Sequence, residues 1–418
     1  MRILLVGAGG FIGRHLLDAL VLAGHTVVAT RRAPDTTLLP GVEWRSLDLL
    51  RPQDFAWPDG IELVINASGE LSTDAAHMDR LQYQGACALF QLARQHGAGV
   101  LQLSALGAGE HPDVPFLVSK ARADAHLLGL GIPAVVLRPS LVVGPGGASS
   151  TWLQRLSPSP LIPLLGNRAR LQPLHIDDLC AAVLALLRDW PAQPTVLPLV
   201  GPRAMTQGEL IDVLRAAQGW KPARYLSVPT PLARLGAALG ERLGWQALNR
   251  QTLRLSQRDN LAGPAALEQA CGYRAASLAS RLQHWPQPAQ SLALALQPLA
   301  LLVLALIWLG TAVVCLGPGF DWGLRIMAEA GVEGLPARLA VIGGALFDGL
   351  LGLGLLWRRW RVRALQAQIA LMLVYSLIIS LLLPHYWFDP YMALGKNFAV
   401  LLLSLWLLGL SASSTRSR

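Results

Sequence analysis

Up to about residue 290, short apolar runs alternate with amphipathic stretches along the chain. Residues 2–6 (RILLV) form a short, mostly apolar run that ends at Gly7, which is typical of a buried parallel strand. An amphipathic helix is predicted from about Ile12 to Ala23, and HTVVATRR (25–32) predicts a second strand. Further strands are predicted at 61–66, 99–104 and 133–138. This alternation predicts an α/β fold, a doubly wound parallel sheet covered by helices on both faces.

The pattern changes twice along the chain. After GPGG (144–147) the periodicity becomes mixed and is interrupted by prolines, which predicts a small mixed cap over 148–290 with sheet-completing elements. Four long apolar runs follow, at 296–317, 337–357, 365–383 and 393–411. Each has about the 20 residues that a helix needs to cross a bilayer. We therefore predict a core (1–147), the cap (148–290) and an all-α four-helix transmembrane domain (291–418).

Composition and charge agree with a membrane protein. Hydrophobic residues make up 53% of the chain and charged residues 15%, which is too apolar for a wholly soluble protein. Buried core helices of a soluble protein are the alternative to membrane spans. The net charge of +9 includes four arginines in RRWRVR (358–363) and two in the terminal STRSR. Arginines clustered beside apolar spans indicate cytoplasmic loops and not a nucleic-acid partner, so the N-terminal domain and the C-terminus are both predicted to be cytoplasmic.

A glycine-rich turn, GAGGFIG, lies between the first predicted strand and the first predicted helix. Gly7, Gly10 and Gly13 suit a tight turn, close approach of a pyrophosphate to the backbone, and close packing of helix on strand. The helix N-terminus, at Phe11 and Ile12, offers free N–H groups and a positive dipole end to phosphates. The turn predicts a Rossmann-type dinucleotide site, with an ordinary strand–helix turn as the alternative.

The end of the second predicted strand bears on the choice of cofactor. Where an acidic residue would bind the ribose 2′-hydroxyl of NAD, this chain has Thr30, Arg31 and Arg32. Guanidinium groups suit a 2′-phosphate, so NADP(H) is favoured and NAD(H) is the alternative. Either arginine is also compatible with a solvated surface position. No metal is predicted, because the four cysteines are far apart and lack a metal-ligand spacing.

Over residues 1–285 these motifs resemble the extended and atypical branch of the short-chain dehydrogenase/reductase superfamily. Within that branch the chain is similar to the accessory NADPH-binding subunit of respiratory complex I, of the 39-kDa type. Besides the glycine-rich turn, the resemblance rests on Asp48-Leu49, Asn66-Ala67-Ser68-Gly69, LSALGA (103–108), LRPSLVVGPGG (137–147) and LQPLHIDDL (171–179). It implies cofactor contacts from Asp48, Leu49, Ala67, Ser68, Pro139 and Ser140.

The membrane part, about 290–411, resembles a DoxX-like four-helix module. The resemblance rests on the four-span layout, on FDGLLGLGLLWRRWR (347–361) and on DPYMALGKN (389–397), and it implies an inner-membrane location. Asp348 lies within the second predicted span, where an ionised carboxylate is costly. We expect it to face the bundle interior, to be protonated or to pair with a partner. Lys396 begins the fourth span and is expected to reach the membrane interface.

The catalytic residues of the superfamily are only partly present. In the family a Tyr four residues before a Lys transfers the substrate proton, the Lys lowers the pKa of that Tyr and holds the nicotinamide ribose, and a Ser orients the substrate oxygen. The resemblance places Ser104 and Lys120 at the Ser and Lys positions, but Phe116 stands at the Tyr position. Phenylalanine cannot donate a proton, and loss of a general acid lowers rates by about 10²–10⁴-fold. Lys120 is still expected to bind the ribose, with a surface helix lysine as the alternative.

Two segments contain residues that could supply the missing proton in place of a Tyr. They are Glu110, His111 and Asp113 before Phe116, and His175, Asp177 and Asp178 in the cap. A structural or solvated role is favoured for each of these residues. Two functions therefore stay open. One is a membrane-anchored NADP-dependent oxidoreductase or epimerase-type enzyme for a lipophilic substrate such as a quinone or lipid intermediate. The other is a non-catalytic NADPH-binding structural or sensor module that docks a membrane partner, and the missing Tyr favours it.

Overall fold

The computed structural model describes residues 1–32, 41–164, 169–242, 249–390 and 392–416. The chain divides into two compact units, Met1–Ser291 and Leu292–Arg418. Tyr391 of the DoxX-like motif and Arg418 of the arginine-rich C-terminus lie outside the described residues. The predicted boundary within the N-terminal part, at residue 147, stays a prediction.

The N-terminal unit is built on a seven-stranded sheet in which all neighbouring strands are parallel, as predicted. The strands are β1 (Arg2–Val6), β2 (Thr26–Arg31), β3 (Val42–Ser46), β4 (Leu63–Asn66), β5 (Gly99–Leu103), β6 (Ala134–Pro139), β7 (Val142–Val143), β8 (Leu161–Leu164), β9 (Arg170–Leu171), β10 (Leu174–His175), β11 (Thr195–Leu199), β12 (Met205–Thr206) and β13 (Arg224–Ser227). The order in the large sheet is β11-β6-β5-β4-β1-β2-β3. The strand order reverses between β1 and β4, and sheets of this kind bind ligands beyond the carboxyl ends of the strands at that point.

The two edge strands of the large sheet carry weak sequence signals. The strand β3 (VEWRS) is half-buried to exposed, so it lacks the apolar run of the central strands. The strand β11 (TVLPL) contains a proline and lies within the region predicted to complete the sheet. Both pair with neighbours that the apolar pattern identified, β2 and β6.

Helices cover both faces of the sheet and continue into the cap. They are α1 (Phe11–Leu22), α2 (Ala75–Met78), α3 (Gly85–Gln95), α4 (Pro115–Leu128), α5 (Ala148–Leu156), α6 (Ile176–Arg188), α7 (Gln207–Ala217), α8 (Thr230–Arg242), α9 (Arg250–Ser256), α10 (Ala265–Cys271) and α11 (Leu278–Arg281). A π-helical segment, Asp79–Gln84, joins α2 to α3, and a 3₁₀ turn lies at Pro52–Asp54.

Side chains of β1 alternate between two apolar cores. Ile3 and Leu5 pack on one face of the sheet with residues of α1 and α6, whereas Leu4 and Val6 pack on the other with α3 and α4. A third cluster, which includes Leu210, joins α5, α7, β8 and α11 in the cap. Burial on both faces explains why the central strands read as continuous apolar runs.

Among the described residues of the C-terminal part of the chain, four helices are long and apolar enough to cross a membrane, which confirms the predicted four-helix layout. The helices of this part are α12 (Pro288–Leu316), α13 (Phe320–Glu329), α14 (Gly334–Leu356), α15 (Arg361–Leu382) and α16 (Ala393–Arg416), with a 3₁₀ turn at Pro384–Phe388. The short helix α13 was not predicted, because it is amphipathic and lies between two apolar runs. Asp348 on α14 is buried in the bundle, and its Oδ1 atom has no hydrogen-bond partner among the described residues.

Candidate functional site

The glycine-rich turn joins β1 to α1, and two of its glycines are required by close packing. Gly7 has φ +82°, and a Cβ there would lie 3.0 Å from the Ser68 backbone nitrogen. A Cβ at Gly13 would lie 2.1 Å from the Gly7 carbonyl oxygen, so any side chain would displace α1 from the turn. The first-turn N–H groups of a helix, here from Phe11 onward, have no acceptor within the helix. These groups fit the phosphates of a dinucleotide.

The carboxyl end of β4 lies beside this turn. Asn66 Oδ1 accepts hydrogen bonds from the Ser68 backbone nitrogen at 3.1 Å and from Ser68 Oγ at 2.5 Å. Asn66 is itself held by β5, because its Nδ2 donates to Gln102 Oε1 at 2.7 Å. These bonds fix the segment that contains Ala67 and Ser68 against Gly7, so the structure brings these predicted cofactor residues together.

Lys120 on α4 links the ends of two strands. Its Nζ atom donates to the Ser68 carbonyl and to the Leu103 carbonyl, both at 2.9 Å, and the residue is only 3% exposed. Burial lowers the pKa of Lys120 to about 8, while the nearby Asp124 carboxylate acts in the opposite direction. Lys120 is therefore not a surface helix lysine. It sits at the edge of the sheet where the glycine-rich turn and the β4 end meet.

Ser104 is bound to an acid that sequence reasoning missed. Its Oγ donates to Asp124 Oδ2 at 2.7 Å, and the same oxygen accepts from Arg138 Nε at 3.1 Å and Nη2 at 2.9 Å. Burial raises the pKa of Asp124, and the bonds from Ser104 and Arg138 oppose that shift. Because the single hydroxyl proton of Ser104 points to Asp124, only oxygen lone pairs remain for another ligand. The spacing of Asp124, four residues after Lys120 on one helix face, was the available signal.

Phe116 lies half-buried on the first turn of α4, one helical turn before Lys120. The titratable residues of the preceding loop, Glu110, His111 and Asp113, have other surroundings in the described structure. Asp113 is held by Arg258, whose Nη1 and Nη2 donate at 2.6 and 2.9 Å, and this pair keeps the pKa of Asp113 below its usual range. Glu110 is exposed, and His111 packs against Gly107, where a Cβ would lie 3.2 Å from the imidazole.

The acids and the histidine of the cap have structural contacts. His175 caps the N-terminus of α6, with Nδ1 accepting from the Asp177 backbone nitrogen at 3.3 Å, and burial lowers its pKa. Asp178 is fully buried and accepts hydrogen bonds from Tyr273 Oη at 2.7 Å and Arg281 Nη2 at 2.9 Å. These contacts agree with the favoured interpretation that the segment joins elements of the fold.

At the end of β2 the chain presents arginine side chains next to the glycine-rich turn. Thr30 is buried, whereas Arg31 is half-buried and lies over the Trp44 ring, 5.2 Å from its centroid. A Cβ at Gly9 would lie 3.9 Å from Arg31 Cβ, so this arginine adjoins the turn. Arg32 is exposed. A guanidinium placed here suits a 2′-phosphate and offers no acceptor to a 2′-hydroxyl.

Asp48 and Leu49 lie in the turn after β3. Asp48 Oδ1 accepts from the Leu50 backbone nitrogen at 3.0 Å, so one carboxylate oxygen is used to fix the turn. Leu49 is buried, and a Cβ at Gly85 would lie 2.2 Å from the Leu49 carbonyl oxygen. Leu49 therefore has a packing role in this turn.

Pro139 and Ser140 lie at the end of β6, on the same edge of the sheet. The Pro139 carbonyl accepts from the Leu106 nitrogen at 3.0 Å, and the Ser140 nitrogen donates to the Leu199 carbonyl at 2.9 Å. The following GPGG loop packs over the first turns of α1. His15 Nε2 lies 3.1 Å from the carbonyl of the loop's proline, Pro145.

Two segments of the chain match known families. Residues 3–196 match the NAD dependent epimerase/dehydratase family, and residues 305–405 match the DoxX-like family. The chain joins an epimerase/dehydratase-family domain to a DoxX-like domain. Both resemblances inferred from the motifs are confirmed, and a nicotinamide dinucleotide is the cofactor class of the first domain.

Relatives of the N-terminal domain differ in their described roles. The chain is 29% identical over 227 residues to a ceramide reductase of Caulobacter vibrioides, over 52% of this chain and 66% of that protein. It is 27% identical over 248 residues to the mitochondrial NADH dehydrogenase (ubiquinone) 1 alpha subcomplex subunit 9 of Arabidopsis thaliana, over 56% and 61% respectively. The chain thus spans less than two thirds of the length of either relative.

A solved structure supports the fold of the same domain. UDP-glucose 4-epimerase from Thermotoga maritima superposes with a TM-score of 0.53 at 18% identity, over 68% of this chain and 96% of that chain. At this identity the similarity shows a shared fold alone.

Proposed function

We propose that this protein is a membrane-anchored NADP(H)-binding protein of the cytoplasmic membrane. The observation that carries the proposal is the convergence of the glycine-rich turn, Ser68 and Lys120 at one edge of the sheet. The turn and the first N–H groups of α1 would hold the pyrophosphate. Arg31 and Arg32 would hold the 2′-phosphate, and Lys120 the nicotinamide ribose.

The remaining predicted contacts follow the same assignment. Asp48 and Leu49 would line the adenine. Ala67 and Ser68 would line the β4 side of the site, and Pro139 and Ser140 would line the nicotinamide end. When bound, the nicotinamide supplies a hydride. The polypeptide contributes binding and orientation, because Phe116 has no proton to give.

The geometry favours binding over the usual proton chemistry of the superfamily. Ser104 directs its proton to Asp124, and Asp113 is occupied by Arg258. An alternative is a reductase of a lipophilic substrate, such as a quinone or lipid intermediate, and the similarity to a ceramide reductase favours it. In the first case a membrane partner would respond to the nucleotide, whereas in the second the substrate would come from the bilayer.

The orientation in the membrane is also proposed from charge. The arginines of RRWRVR, between α14 and α15, and those near the C-terminus favour the cytoplasmic side. With four spans, this charge pattern favours a cytoplasmic nucleotide-binding unit, on the side of the membrane where NADP(H) is available.

Nicotinamide oxidation by the purified full-length protein separates the two functions. In detergent, NADPH fluorescence reports binding, and absorbance reports consumption with a panel of quinones and long-chain ketones. We expect binding without consumption. Sustained consumption with any lipophilic acceptor would establish the reductase instead.

The variant Phe116→Tyr sharpens this experiment. If the pocket lacks only its acid, the new hydroxyl one turn from Lys120 produces turnover that the wild type lacks. The matched control is Phe116→Leu, which also alters the packing but adds no proton donor. Turnover that appears in both variants would show that shape, and not the acid, limits the reaction.

A further inference from the structure

Helix α8 packs with a face of small side chains and leaves a face of large side chains exposed. Its small residues Ala233 and Ala237 are buried in a cluster with Leu253 of α9. Small side chains permit close approach of the two helices. Three leucines point away from this contact, and they are between half and two-thirds exposed: Leu232 60%, Leu235 59% and Leu239 50%. The i, i+3, i+7 spacing puts them on one side of the helix.

The segment before the helix also carries exposed apolar residues. Leu226 of β13 is 52% exposed, and Pro229 and Pro231 are exposed as well. We call the three leucines of α8, Leu232, Leu235 and Leu239, the leucine face. Single exposed leucines are ordinary, but a row of them on one helix marks a surface that binds an apolar partner.

Most of the charged residues in the stretch of chain that carries the leucine face, 221–242, are basic. Four exposed basic residues lie in the same stretch of chain: Lys221, Arg224, Arg234 and Arg242. The one acidic residue of α8, Glu241, lies 3.5 Å from Arg250 of α9, so its charge is directed toward the neighbouring helix. We call the four basic residues the basic rim. An apolar helix face accompanied by basic residues is the pattern of helices that lie in the interface of an anionic bilayer.

We propose that the leucine face of α8 inserts into the headgroup region of the bilayer that holds the chain. The chain itself supplies the argument for this occupant, because it carries four helices able to cross a membrane and so stays tethered to a lipid surface. Tethering raises the effective concentration of that surface, and a shallow apolar contact is then sufficient. Basic rim residues complement anionic lipid headgroups, whereas a second copy of the same face would repel them.

A fluorescent label on the leucine face tests the proposal in the full-length protein. The half-buried cysteines Cys87 and Cys315 are replaced by serine. The other two cysteines, Cys180 and Cys271, are buried, and burial also raises the pKa of both thiols, so they react slowly with the label. Leu235→Cys then receives an environment-sensitive dye, and the protein is reconstituted in vesicles of phosphatidylglycerol and phosphatidylethanolamine. The matched control is Leu22→Cys at the end of α1, a leucine that is 88% exposed.

Doxyl-labelled phospholipid is expected to quench the dye at residue 235 at least about twofold more strongly than the dye at residue 22. Replacing the anionic lipid with phosphatidylcholine reduces the difference, because the basic rim loses its partner. Leu232→Cys serves as a second position in case the first perturbs the helix. Equal quenching at both sites overturns the proposal. The proposal is also overturned if the label at residue 235 is shielded from water without being quenched by the lipid and crosslinks to a second copy of the chain.

NADPH binding is measured on the same labelled samples. The proposed membrane contact of α8 uses none of the residues of the proposed nucleotide site, so the two are tested separately. Lipid quenching without NADPH binding contradicts only the proposed function, and NADPH binding without lipid quenching contradicts only the membrane contact of α8.

Discussion

Replacing Lys120 with methionine removes a buried cation from the proposed nucleotide site and keeps a side chain of similar length. Lys120 Nζ donates to the carbonyls of Ser68 and Leu103, and an ammonium group has three N–H donors. One donor therefore remains for a nicotinamide ribose. A hydrogen bond from a charged group contributes about 1.5–3 kcal/mol, so Lys120→Met is expected to weaken NADPH binding roughly 10- to 150-fold.

The pH dependence of binding provides a second readout of the same group. Burial lowers the pKa of Lys120 to about 8, so the charged form that donates most strongly predominates below that pH and is lost above it. Affinity of the wild type for NADPH should therefore fall as the pH rises past about 8. The Lys120→Met variant lacks this titration, and its affinity should not change over the same range.

Titration of each variant with NADPH, followed by nicotinamide fluorescence, measures both effects. The matched control is Lys221→Met, which removes an exposed lysine of the cap and should bind like the wild type. Thermal unfolding of each variant shows whether the fold is intact. An affinity for Lys120→Met within about twofold of the wild type, in a folded protein, would refute the reasoning.

Three further predictions concern the turn, the 2′-phosphate and the buried acid. Gly13→Ala would put a Cβ 2.1 Å from the Gly7 carbonyl oxygen, so we expect lost NADPH binding and about 1–3 kcal/mol lower stability, measured by titration and denaturant unfolding. Changing Arg31 and Arg32 together to alanine should weaken NADPH binding by about tenfold or more and leave NADH binding unchanged, by the same titration. Asp124→Ala leaves a partly buried arginine unpaired, so unfolding should show a loss of about 3–5 kcal/mol.

Each of these predictions has a control and an outcome that contradicts it. The control for Gly13→Ala is Gly236→Ala, which should not change stability, because a Cβ at Gly236 would meet nothing within 4 Å. A Gly13→Ala protein as stable as the Gly236→Ala protein would contradict the packing argument. Equal losses of NADPH and NADH in the double arginine variant would refute the 2′-phosphate assignment. An Asp124→Ala variant of wild-type stability would show that Arg138 finds another partner.

The sequence predicted the parts of the fold that are governed by local pattern. The central strands are buried on both faces, so their apolar runs are continuous, and the glycine-rich turn has a spacing set by its own backbone. Edge strand β3 was not predicted, because it is half-exposed and its polar residues interrupt the apolar run that marks a buried strand. The four helices long enough to cross a membrane were predicted because each contains a long, mostly apolar run.

The side-chain partners in the site were not predictable from the sequence. Asp113 and Arg258 are 145 residues apart, and only the folded cap brings them together. The bond between Ser104 and Asp124 likewise depends on how α4 packs beside the end of β5. The leucine face of α8 becomes visible only once the packed side of the helix is known, because the sequence alone does not tell which apolar residues remain uncovered.

Calorimetric titration of the full-length protein in lipid nanodiscs with NADPH and with NADH tests the central claim most directly. The glycine-rich turn and Lys120 predict one bound NADPH per chain, and the arginines at the end of β2 predict weaker binding of NADH. Heat that saturates with neither nucleotide, from a protein shown to be folded, would contradict the assignment of this edge of the sheet as a nucleotide site.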